Sequence, residues 1–137
     1  PSDYAYNLTR RVRGLPLWFS LATHGTDAYA KAIDENIRLA HEIGDVIRAH
    51  PRMRLVREPM LSVVVFEYDG WTLPDYEAWS SKLLDDQIAF VVPSSHAGRP
   101  NTRFAIVNPQ TSKELLLQIL DSMDEFEAIR TAKEGKQ

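Results

Sequence analysis

The 137-residue chain has no cysteine, which excludes a disulfide scaffold, a thiol nucleophile and thiolate metal ligation. Long apolar runs are missing too. The fullest strand-like one, LSVVVFEY at 61–68, falls far short of the ~20 residues of a membrane-spanning helix. No signal-peptide pattern opens the chain, and the cytoplasm is the expected compartment. Basic excess is also absent: net charge is −3, RRVR (10–13) and RMRLVR (52–57) are only local clusters, and nucleic acid is not an expected partner. His24, His41, His50 and His96 show no H-x-x-x-H spacing, so no metal site is expected. GRP (98–100) has a single glycine and cannot make a phosphate-cradling loop. SSH (94–96) lacks the strand–elbow–helix setting of a serine nucleophile and reads as loop. Lys31, Lys82, Lys113, Lys133 and Lys136 fall on amphipathic helices or the charged tail, where a solvated amine is the plain reading; an imine-forming lysine needs a closed site that lowers its pKa.

What is present suits one globular domain, with 44% hydrophobic and 26% charged residues. LPLWFSL (15–21) predicts a helix from about Pro16 to His24, stopped by Gly25. Thr26 caps a second helix through about Ala49, with Tyr29, Ile33, Ile37, Ala40, Ile43/Gly44 and Ile47 on one apolar face. Strands are expected at 53–58, 61–68, 88–93 and 103–108, with a helix at 76–86 between the second and third. SSHAGRPN (94–101) is expected as a loop too long for a tight turn. Thr111 and Glu114 form a capping box opening a last helix whose inner face is Leu116, Ile119, Leu120, Met123 and Phe126. Asp85–Asp86 and Asp124–Glu125 read as solvated helix faces. The class is α+β: an antiparallel sheet of about four strands with helices on one face, preceded by two helices. Val63, Val65 and Phe66 are expected to leave apolar surface on the uncovered face.

One residue needs a partner. Arg103 opens an apolar run, and a guanidinium does not neutralise on burial.

LTRRVRGLPLWFSLATHG (8–25), RLAHEIGDVIRAHPRMRLVREPMLSVVVFEY (38–68), IAFVVPSS (88–95) and TRFAIVNPQTS (102–112) resemble the C-terminal part of group II pyridoxal-phosphate amino-acid decarboxylases, the family of the aromatic L-amino-acid and glutamate decarboxylases. The resemblance covers roughly residues 7–127, in family order. It implies the small domain of a fold-type I pyridoxal-phosphate enzyme. Residues 1–25 would be a lead-in and linker helix from a missing large domain, 26–130 the small domain, and 131–137 a charged tail. The family's pyridoxal lysine lies in an N-P-H-K-type stretch that this sequence does not contain. The resemblance therefore implies an enzyme in the parent polypeptide but a chain that is inactive alone, with pyridoxal phosphate in the parent and no cofactor in this piece.

By the same resemblance, Arg103 faces the cleft between the domains and orients a substrate carboxylate. The alternative is a structural ion pair with a carboxylate such as Glu67. His96 would line the cleft entrance. Arg10, Arg11, Trp18 and Phe19 would contact the other domain or subunit. The expected partners are the large domain, a homodimer mate or a second copy of this chain, and a small L-amino acid. The rival class is a stand-alone ligand-binding or regulatory module of ferredoxin-like type, whose order β-α-β-β-α-β differs from the order here.

Overall fold

The computed structural model describes residues 2–4 and 11–134, so Arg10 lies outside the described residues. The chain divides into two compact units, residues 1–32 and 33–137.

The first unit holds a helical turn at Ser2–Tyr4 and the beginning of α1, Gly14–Ala49. Where two helices were expected, helical assignment is continuous, but the geometry breaks at Gly25, with φ 77° and ψ 162°. A side chain would be strained there, so glycine supplies the break. The hydroxyls of Ser20 and Tyr29 hydrogen-bond across it. Leu17, Trp18 and Phe19 are all more than half exposed, with the Trp18 and Phe19 rings edge to face at 5.0 Å.

The second unit continues α1 and adds β1 (Met53–Arg57), β2 (Val63–Tyr68), α2 (Leu73–Asp85), β3 (Pro93–His96), β4 (Arg99–Ala105) and α3 (Lys113–Glu134). The four strands form one antiparallel sheet in the order β1-β2-β4-β3. This succession is not that of a ferredoxin-like module. Val64, Phe66 and Tyr68 of β2 and Thr102 and Phe104 of β4 share one face and are buried. They join Ile43 and Ile47 of α1, Trp79 and Leu83 of α2, and Leu116, Ile119, Leu120 and Met123 of α3 in a single core. Each large apolar side chain so buried contributes about 1.5–3 kcal/mol. Gly44 permits a close approach within it, because a Cβ there would sit 3.1 Å from Pro59 Cγ.

Several local expectations are corrected. The α1 stripe is buried only from Asn36 onward, and Ile33 is 56% exposed, because the apolar period runs past the core that it covers. Residues 88–92 join no strand ladder: Val91 packs into the core, and its carbonyl accepts the Ser80 hydroxyl at 2.6 Å in place of a ladder bond. Most of β3 and the first part of β4 instead occupy the expected loop, while residues 103–105 are strand as expected. Ala97 (φ 50°) and Gly98 (φ 75°) make a two-residue turn, pairing His96 with Arg99. Positive φ at both central residues matches the twist of a tight hairpin. The cap of α3 is Ser112, whose Oγ accepts the Leu115 N–H at 3.1 Å, and the helix continues beyond Phe126 to Glu134.

That continuation carries a buried carboxylate. The Glu127 side chain is 6% exposed. It accepts Trp71 Nε1–H at 2.9 Å, Arg130 Nε–H at 2.9 Å and the Arg52 guanidinium at 2.9 Å. The Arg130 hydrogen bond, above all, with help from Trp71 and Arg52, outweighs burial and holds its pKa at about 2 against an ordinary 4.5. Nearby, Asp124 accepts the Tyr68 hydroxyl at 2.6 Å and lies 3.0 Å from His50 Nε2, so it is no idle surface acid. Burial first, then this bond to Asp124, pushes the Tyr68 phenol above its usual range.

Glu127→Gln is expected to destabilise the chain by about 2–3 kcal/mol at neutral pH. A lowered folded pKa contributes stability that is complete above about pH 4.5 and drains away as pH falls through about 2. Urea unfolding from pH 7 to 2 should therefore show the two proteins converging in acid. A constant gap across that range would refute the assignment.

Candidate functional site: the open face of the sheet

Strand alternation places one set of side chains away from the helices. Arg54 pairs with Glu67 in register, Arg57 with Val65, Val65 with Arg103, Val63 with Ala105, Ser94 with Asn101, and His96 with Arg99. The open face thus carries Arg54, Arg57, Arg99 and Arg103. Its one carboxylate on the strands is Glu67. The apolar surface expected there is reduced to Val63, Val65 and Ala105, because Phe66 lies on the covered face at 0% exposure.

Glu67 is largely buried. It is ion-paired with Arg54, and its Oε1 lies 3.4 Å from Arg99 Nε without a well-formed hydrogen bond. An open cleft beside it is lined by Arg52, Arg54, Glu67, Asp69, Trp71 and Arg99. The arginines of that cleft already have carboxylates: Arg52 holds Glu127, and Arg54 and Arg99 hold Glu67.

Arg103 is different. It is exposed, and no carboxylate of the described residues forms an ion pair with it. The partner that the sequence offered as an alternative, Glu67, is taken by Arg54 and Arg99. His96 is exposed on the same face, but it is opposite Arg99, four residues along β4, or roughly 13 Å from Arg103. The two are on one surface without forming one site. Arg11 is exposed. Sequence reasoning missed Arg57, Arg54 and Arg99 as members of this face. For Arg54 and Arg99 the signal available was alternation, since Arg99 and Arg103 stand an even number of residues apart in GRPNTR; Arg57, three residues from Arg54, falls on this face only through a shift of register.

The fold defines an α+β domain that recurs as one part of solved decarboxylase structures. In mouse CSAD the same architecture is present at TM-score 0.81 and 18% identity, covering 91% of this chain and 30% of that one. The family description "Pyridoxal-dependent decarboxylase conserved domain" matches residues 2–69. L-2,4-diaminobutyrate decarboxylase from Acinetobacter baumannii is 25% identical over 122 residues, 82% of this chain and 24% of the relative. 3,4-dihydroxyphenylacetaldehyde synthase from Aedes aegypti is 30% identical over 117 residues, 79% of this chain and 21% of the relative. The chain belongs to the pyridoxal-dependent decarboxylase family, and it spans about a quarter of the length of these curated relatives.

Two of the described lysines, Lys82 and Lys113, do not fit the family's cofactor. Lys82 lies 2.5 Å from Asp86, whose hydrogen bond raises the amine's pKa, and Lys113 lies 3.1 Å from Glu42. An imine-forming lysine needs the opposite setting. Among the described residues no helix is long and apolar enough to cross a membrane.

Proposed function

We propose that this chain is the C-terminal small domain of a pyridoxal-phosphate-dependent L-amino-acid decarboxylase of the cytoplasm, not catalytic alone. It would complete the cleft and the homodimer of a longer parent polypeptide. The observation that carries this is Arg103, an exposed guanidinium on the open sheet face with no carboxylate partner among the described residues. Its planar fork suits a carboxylate. When bound in the parent, the cofactor supplies the electron sink for breaking the bond to carbon dioxide. The contribution of Arg103 is orientation. A firm grip on the scissile carboxylate would favour the ground state over the transition state, so the fork steers and does not clamp that group. His96, set apart along the hairpin, would line the approach. Arg10, Arg11, Trp18 and Phe19 would meet the rest of the parent or its dimer mate.

Three measurements test this reading. Pyridoxal phosphate added to the chain, followed by removal of excess and borohydride, should trap no stoichiometric imine. One fully labelled lysine would overturn the non-catalytic assignment. In the intact parent, Arg103→Lys keeps charge but loses the fork, and should cost about 1–3 kcal/mol in kcat/KM with little change in Tm. Collapse of Tm with normal kcat/KM would make Arg103 a structural residue instead. The isolated chain should self-associate through LPLWFSL, where Trp18 is 61% exposed, because exposed contiguous apolar surface finds a partner. Light scattering across concentration should show a mass increase that Trp18→Glu abolishes. A strict monomer at all concentrations would reject that contact.

A further inference from the structure

Arg57 and Arg103 lie on one line across the sheet. Arg57 of β1 is opposite Val65 of β2, and Val65 is opposite Arg103 of β4. Two strand spacings put their Cα atoms about 10 Å apart. Both side chains are exposed, and no carboxylate of the described residues pairs with either. Their neighbours Arg54 and Arg99, by contrast, are engaged by Glu67.

The position of Arg57 is not what simple alternation gives. Leu55 pairs with Phe66, so unbroken register would set Arg57 opposite Val64, on the buried face. The register shifts between Leu55 and Arg57, and this irregularity turns Arg57 to the open face. Bulges commonly re-aim a side chain beside a functional site. Between the two guanidinium groups lies half-buried Val65, flanked by Val63, 42% exposed, and by exposed Ala105.

We infer that Arg57 and Arg103 form a two-arginine cradle for a dicarboxylate, one carboxylate at each fork and a short methylene chain across Val65. A single carboxylate needs one fork and leaves the second cation unneutralised. A compact phosphate would have to draw both forks together over an apolar floor that it cannot cover. A dicarboxylate satisfies both cations and covers Val65. This deepens the proposed role of Arg103 and rests on it: the ligand of that site would be an amino acid with a second acidic group, and Arg57 would be a residue of specificity.

The test is titration of the ¹⁵N-labelled chain, watching the arginine Nε–Hε resonances, with glutarate, acetate and inorganic phosphate as probes. Glutarate should shift Arg57 and Arg103 together, saturate at concentrations about tenfold below acetate and phosphate, and leave Arg54 still. Arg57→Gln, or Arg57→Lys should that variant fold poorly, should reduce glutarate to the acetate level. If Arg103 answers glutarate and acetate alike while Arg57 is silent, the cradle is overturned and the single-carboxylate role of Arg103 stands. Silence of both overturns both. Phosphate binding as tight as glutarate also overturns the dicarboxylate assignment.

Discussion

A carboxylate buried to 6% exposure has no stable option except full pairing, and Glu127 obtains it from three directions. Arg130 comes from its own helix, Trp71 from the turn after β2, and Arg52 from the residue before β1. Those donors are distant in sequence, so their convergence fixes α3 against the ends of both β1 and β2. Trp71 transmits the constraint further. Its ring packs on Tyr68, Tyr76, Trp79 and Phe126, with centroids 4.6–5.9 Å apart. Tyr76 in turn accepts the Tyr68 N–H at 2.7 Å, tying α2 to the end of β2.

With α2 and α3 so held, the second unit's helices are committed to one face of the sheet. The period of two then sorts the strands without exception between Val63 and Tyr68: odd positions open, even positions covered. The open face keeps its cations in water, where a guanidinium costs little. The Leu55–Arg57 irregularity obeys the same rule. Leaving Arg57 opposite Val64 would have placed a charge in the apolar layer, and shifting one residue is far less costly than that. Core chemistry and surface chemistry are thus set by one constraint.

The class of the fold was legible because LSVVVFEY, the α2 apolar spacing and the α3 inner face each report burial directly. The third strand falls later than expected, and the fourth begins earlier, for a definite reason. An apolar run predicts burial, and IAFVV is partly buried, but against α2 rather than in a ladder; PSSH and RPNT pair as strands despite weak strand propensity because Ala97–Gly98 closes the hairpin. Arg103 could be singled out from sequence, since it opens an apolar segment. Its alignment with Arg57 could not, because pairing register depends on an irregularity that no local pattern encodes. Glu127 was invisible for a similar reason: a glutamate near the end of a helix is ordinarily solvated, and only the distant Arg52 and Trp71 make it a core residue.

Two exposed surfaces of the described residues differ in kind. Leu17, Trp18 and Phe19 expose apolar area, which water disfavours by about 25 cal/mol per Å². The open sheet face exposes guanidinium groups, which water solvates and which repel a second copy of themselves. Face-to-face pairing of two such sheets would set four arginines of one against four of the other, with a single glutamate on each side already taken by Arg54 and Arg99. Inward charge on a sheet is a known guard against such association. An apolar surface needs only a hydrophobic neighbour. Arg57 and Arg103, which no carboxylate of the described residues neutralises, instead call for an anion of matching geometry, so the two surfaces make different chemical demands on whatever meets them.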